Sequence, residues 1–256
     1  MAKKKSNKHF KWALIIFSIL AVAAAFGAYQ WWKNRKARFV RYPAFGILIP
    51  DEYMIHGIDV SKYQETIAWD LVKEMRIRNI QLGFAFIKAT EGIETIDPQF
   101  KRNWKRSKQA GIIRGACHFF LATKDGRLQA ENFINLVDLE IGDLPPVVDI
   151  EQTYNVNAGV FKKELKQWLA IVEDHYKVKP IIYTNVDFYS RHLGKEFNNY
   201  ALWAAHYLQY NTPRVDRNWD FWQHSEEGRV NGILSKVDFN VYNGDSVQFR
   251  NILMAK

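Results

Sequence analysis

Leu144-Pro-Pro-Val-Val-Asp-Ile-Glu151 is the stretch on which the fold turns, because a β-branched apolar run here ends in two carboxylates two residues apart. A strand alternates its side chains between faces, so Val147, Asp149 and Glu151 fall on one side and Val148 and Ile150 on the other. Two crowded carboxylates do not both ionise easily. One is expected to keep its proton near neutral pH and act as a general acid while the other stays charged, the division of labour used in glycoside hydrolysis. The competing reading of the tripeptide by itself is structural: acids at a strand end that cap the next helix or pair with Lys or Arg.

Outward from this run, strand-like and amphipathic segments alternate. Before it come Gly57–Ser61, a helix over Ala68–Ile77, Leu82–Lys88, a helix over Pro98–Ala110, Gly115–Phe120 and a helix over Arg127–Leu139. After it come a helix over Gly159–Tyr176 and Pro180–Thr184, and then Tyr200–Ala205, Asp220–His224 and Lys236–Asn240 with little helix between them. Strands separated by helices indicate βαβ units and a parallel sheet. The expected fold is therefore α/β: an irregular TIM-like β/α barrel whose last third departs from the repeat. Such barrels carry their chemistry at the C-terminal ends of the strands. Those ends hold Asp59 with Ser61, Lys88 with Thr90 and Glu91, His118, Asp149 with Glu151, Tyr183, Trp203, Gln223 and Asp238.

The first fifty residues differ sharply from the rest. They hold ten of the 36 Lys and Arg and no acid, which leaves 26 basic against 27 acidic residues beyond them. The formal charge of +9 therefore sits in the N-terminal segment, and the globular part lacks the electrostatic footprint of a nucleic-acid binder. Trp12–Tyr29 is uncharged throughout and as a helix spans roughly 27 Å. Trp12 at one end and Tyr29, Trp31 and Trp32 at the other resemble an aromatic belt with lysines outside it. The expectation is a basic cytoplasmic tail (1–11), a transmembrane signal-anchor helix (12–32), a basic juxtamembrane linker (33–54) and a barrel (55–250). A cleaved signal peptide is the rival, since Ala21-Val-Ala23 and Ala23-Ala-Ala25 offer small-residue cleavage sites. Five basic residues flank the span on each side, so charge does not orient it, and topology has to follow from function.

Cys117 is the single cysteine, which excludes an intramolecular disulfide. His118 beside it points to the opposite strand face, so packing is the expectation for the thiol. The seven histidines show no metal-binding spacing, and no Gly-rich phosphate loop follows a strand. No metal and no cofactor are expected.

Taken together, Gly57-Ile-Asp59-Val-Ser61-Lys-Tyr-Gln64, Phe86-Ile-Lys88-Ala-Thr90-Glu91-Gly92, Asp97-Pro-Gln-Phe100, Gly115-Ala-Cys-His118-Phe119, Asp149-Ile-Glu151, Tyr183-Thr184, Leu202-Trp203-Ala204, Phe221-Trp222-Gln223 and Val237-Asp238-Phe-Asn240 resemble glycoside hydrolase family 25. This is the Chalaropsis-type lysozyme family of N-acetylmuramidases, and the resemblance covers about residues 55–245 in order. It implies an irregular β/α barrel that cleaves the β-1,4 bond between N-acetylmuramic acid and N-acetylglucosamine in peptidoglycan. By position, Glu151 resembles the general acid, and Asp149, Asp59 and Asp238 the remaining acidic cluster. A direct nucleophile, an activated water and participation by the substrate's own N-acetyl oxygen all stay open. The last is favoured, since the sugar carries that group and Asp149 is adjacent to the acid.

Candidate substrate-binding residues are Tyr183, Trp203, Tyr207, Trp222, Gln223, Lys88 and His118. Aromatic rings stack on sugars but also fill barrel cores, Lys88 and Glu91 can pair with each other, and His118 can be a hydrogen-bonded wall residue. Cys117 stands where the family commonly has Tyr. The expected partners are peptidoglycan glycan strands and, through residues 12–32, a bacterial cell membrane, with no nucleic acid; a monomer is expected. The barrel is expected on the periplasmic or cell-wall side. The rival from another class is a non-hydrolytic, membrane-anchored peptidoglycan-binding protein.

Overall fold

The computed structural model describes residues 8–34, 39–207, 209 and 212–255. Residues 1–7 of the expected tail and 35–38 of the expected linker lie outside them, as do the side chains of Trp31, Trp32 and Lys33. In chain order the elements are α1 (Lys8–Asn34), β1 (Phe39–Tyr42), β2 (Ile47–Pro50), β3 (Ile55–Val60), α2 (Trp69–Glu74), β4 (Arg76–Ile77), β5 (Ile80–Glu91), β6 (Thr95–Ile96), α3 (Phe100–Gln109), β7 (Ile113–Phe119) and α4 (Gly126–Ile134). There follow β8 (Val147–Asp149), α5 (Ala158–Tyr176), β9 (Ile181–Asn185), α6 (Val186–Phe188), β10 (Ala201–Ala205), β11 (Phe221–Gly228), β12 (Val237–Tyr242) and α7 (Ser246–Asn251).

Eight of the strands close into a barrel in the order β3-β5-β7-β8-β9-β10-β11-β12, with β12 returning to β3. The seven strands from β3 to β11 run parallel, and β12 is antiparallel to both neighbours. Alternation divides the core in two. Phe84, Phe86, Val147, Ile181, Trp203 and Phe221 fill the inside, where Phe86 stacks on Trp203 with centroids 4.2 Å apart. Ile58, Ala85, Ile87, Val148, Leu165 and Trp168 belong to the outer shell under the helices. Two glycines make room for the inner rings: a Cβ on Gly57 would stand 2.5 Å from the Phe84 ring, and one on Gly115 2.7 Å from the Phe86 ring. Phe249 of α7 packs on Phe84 and Tyr242.

α2 and α4 are shorter than their patterns predict, whereas α5 matches its expected span to within one residue. α2 stops at Glu74 because Arg76 and Ile77 pair with Gln81 and Ile80 around a left-handed Arg78 (φ 56°), and α4 ends at Ile134 with Asn135 as its C-cap. The larger difference lies in residues 39–50, expected to be linker. They form an antiparallel hairpin whose Tyr42, Phe45 and Ile49 are buried in the outer shell. The reason is that the described residues between β10 and β12 form no helix, and the hairpin covers the outer faces of β11 and β12 instead. Phe39 meets Trp222 edge-on at 5.8 Å, Phe45 meets Phe239 at 5.3 Å, and the Arg229 amide donates to the Phe45 carbonyl. The folded unit therefore includes Phe39–Pro50, ahead of the start expected near residue 55. Within α1, Lys11–Gln30 has a mean hydropathy of 2.1 and no buried share, so this helix is long and apolar enough to cross a membrane.

Candidate active site

The C-terminal ends of the barrel strands open into a cavity of about 300 Å³ whose walls include Asp59, Lys88, Cys117, Asp149, Glu151, Tyr183, Trp203, Tyr207, Gln223 and Asp238. β8 puts Asp149 and Glu151 on this side and Ile150, fully buried, on the other. The ladder continues past the strand, since the Ile150 amide donates to the Tyr183 carbonyl and the Phe120 amide to the Asp149 carbonyl. β12 and β3 pair antiparallel with Asp238 directly opposite Asp59, so these two acids are neighbours by register.

The four carboxyls are not equivalent. Asp59 Oδ2 accepts from Asn240 Nδ2 at 2.7 Å and Gln223 Nε2 at 2.8 Å; burial pushes its pKa up, and those donors together with Asp238 work against the rise. Asp238 is pushed up to about 9 by burial and by the charge of Asp59 beside it. Asp149 is raised well above the usual range by burial first and then by Glu151; among the described residues its Oδ1 has no hydrogen-bond partner. Glu151 is also raised, by burial, although the Tyr183 hydroxyl favours its charged form. A carboxyl kept protonated beside charged neighbours is the arrangement that general acid catalysis needs.

Gln223 links the groups. Its Oε1 accepts from the hydroxyls of Tyr183 (2.7 Å) and Tyr207 (2.5 Å), which turns its NH2 toward Asp59 and, at 3.3 Å, Asp238. Lys88 lies on the wall and also pairs with Glu91 at 2.6 Å, over the Phe119 ring. Trp203 and Tyr183 are nearly fully buried and form floor rather than open platforms. Cys117 is buried there too, and desolvation raises its pKa, so the thiol keeps its proton and packs.

Two expected binding residues do not reach the groove. Trp222 is fully buried on the outer face, donating its Nε1 hydrogen to the His206 carbonyl among Phe39, Tyr53 and Trp219. Alternation on β11 explains this: Phe221 and Gln223 share the inner face, and Trp222 must take the other. His118 is likewise fully buried. Gln129 Oε1 accepts from the Leu121 amide, so His118 Nε2 is the donor toward it and Nδ1 accepts from Thr90; burial pulls the ring pKa down to about 3. It is a wall residue stacked on Trp168. Among the residues at or beneath the groove that were not singled out from the sequence, two stand out. Tyr63, on a turn capped by Ser61, is 72 % exposed at the rim. Asn240 lies under Asp59; its signal was alternation, two residues after Asp238 on one strand. Glu151 and Tyr207 also border a second hollow shared with Asn185, His206 and Arg214.

A closed β/α barrel with a carboxylate cluster at its C-terminal mouth is a glycoside hydrolase architecture. The chain belongs to Glycosyl hydrolases family 25, whose model matches residues 58–233. It is 33% identical over 211 residues to Lysozyme M1 of Streptomyces globisporus, covering 76% of this chain and 69% of that one. It is 47% identical over 201 residues to the uncharacterized protein YegX of Escherichia coli strain K12, covering 78% and 74%. Among solved structures, a family 25 glycosyl hydrolase from Bacillus anthracis superposes with a TM-score of 0.73 at 33% identity, covering 80% of this chain and 95% of that one.

Proposed function

We propose that this chain is a membrane-anchored muramidase that cleaves the β-1,4 bond between N-acetylmuramic acid and N-acetylglucosamine in peptidoglycan. Family membership and the lysozyme relative support the substrate class. Among the residues, the observation that carries the mechanism is the unpartnered Oδ1 of Asp149 buried beside a raised Glu151. Glu151 protonates the leaving oxygen. Asp149 accepts the acetamido N–H of the sugar and steadies the N-acetyl oxygen as it closes on the anomeric carbon; water then opens the cyclic intermediate, with Glu151 as base. Asp59, charged and held by two amides, stabilises the positive charge that develops on the ring. Tyr63 offers a stacking face, and the hollow beyond Glu151 has room for the leaving strand. Helix α1 keeps residues 1–11 in the cytoplasm and the barrel on the wall side, where the polymer is.

The test is mass spectrometry of soluble fragments released from purified peptidoglycan by the full chain in detergent, beside Glu151→Gln. Fragments with a reducing-end N-acetylmuramic acid, absent with the variant, are expected. No release by the parent protein, with retained pelleting on the polymer, would replace this reading by a glycan-binding one. For topology, protease added outside permeabilised outer envelopes is expected to reach the barrel, and full protection would overturn the orientation.

A further inference from the structure

Asn240 is fully buried and lies beneath the groove, and its amide has one possible orientation. The Trp203 indole N–H can only donate, and it lies 2.8 Å from Asn240 Oδ1, so that atom is the acceptor and Nδ2 must face Asp59 Oδ2 at 2.7 Å. The same Oδ2 receives Gln223 Nε2, itself turned by the two tyrosine hydroxyls. Two fixed donors on one carboxylate favour its charged form, and the adjacent carboxyl, opposite it in register, is left to hold the proton.

We propose that Asn240 is a positioning residue: clamped by Trp203, it decides which of the paired acids Asp59 and Asp238 is the anion, and so fixes the charge that faces the reacting sugar. Asp59 is then permanently the acceptor and Asp238 the donor, and neither role depends on substrate arriving. The proposal rests on the muramidase reading for its activity assay. An inactive parent protein would strike that reading, whereas an active parent with an indifferent variant strikes this one.

The test is Asn240→Asp in the full chain, with kcat and KM on soluble glycan strands from pH 4.5 to 8. The introduced carboxyl can imitate the amide toward Asp59 only when protonated, and once ionised it sets a second negative charge against that of Asp59. At pH 7.5 kcat is expected to fall at least about tenfold with KM within about threefold, and to recover toward the parent value as the pH is lowered to about 5. A purely structural role gives a loss independent of pH. A loss of that kind in a variant with an unchanged melting curve would overturn the proposal, as would a profile superimposable on the parent's. Should the variant not fold, the carboxyl ¹³C resonances of the parent protein decide: at pH 6.5 Asp59 is expected ionised and Asp238 protonated, and the reverse assignment overturns the inference.

Discussion

Replacing Asp238 by Asn is expected to make the protein more stable and less active, with a gain that depends on pH. The folded pKa of Asp238 is raised from 3.8 to about 9, by burial first and then by Asp59. A raised folded pKa means that the group's stability contribution is complete below about pH 4 and is lost as pH rises toward 9, because the unfolded chain ionises first. Up to pH 7 about three pK units are involved, an upper bound near 4 kcal/mol; with the groove open to water, about 2–4 kcal/mol is the reasonable range. Asn never ionises, and its NH2 can donate to Asp59 where the acid's O–H does. In a barrel of this size 1 kcal/mol moves Tm by about 2–4 °C, so the variant is expected to melt roughly 5–15 °C higher at pH 8 and level with the parent at pH 4. Paired calorimetric scans at the two pH values measure this. A variant that melts lower at pH 8, or by the same margin above the parent at both, would refute the reasoning.

Other consequences are open to measurement. Truncating Phe45, fully buried against Phe239, is expected to cost about 3–5 kcal/mol, read as a shifted denaturant midpoint. His56, His118 and His224 are buried and held down to about 4, 3 and 3, chiefly by desolvation, so the stability they carry is present above pH 6.5 and lost as pH falls through 4 to 3. Acid melts of His224→Phe should show a shallower loss, and an unchanged slope would count against this assignment. Gly57→Ala places a methyl group 2.5 Å from the Phe84 ring and is expected to cost about 1–3 kcal/mol or prevent folding, checked by near-UV dichroism.

Much of this molecule was legible in its residues. The order of strands and helices, the closed barrel and the placing of Asp59, Asp149, Glu151 and Asp238 at one mouth follow from period-two runs separated by amphipathic ones. The same alternation argued against Trp222 as a sugar contact, but an aromatic beside a groove residue invited the functional reading. The hairpin was missed for a different reason. Two strands of four residues, Phe39-Val-Arg-Tyr42 and Ile47-Leu-Ile-Pro50, set after an apolar helix and a basic stretch, carry no strong local signal. What folds them is the uncovered outer face of β11 and β12, which lies almost two hundred residues further along the chain. Asn240 was hidden because its meaning is a hydrogen bond to a strand at the other end of the barrel sequence.

For the anchored form proposed above, the hairpin also governs where the barrel can be cut free. A peptide-bond cut between Asn34 and Phe39 liberates a barrel with every covering strand in place, free to diffuse. A cut a dozen residues later, after Pro50, leaves Tyr42, Phe45 and Ile49 behind on the anchor and uncovers Trp222, His224 and Phe239. In the anchored form proposed above, release that keeps the hairpin with the barrel therefore has to cut before Phe39.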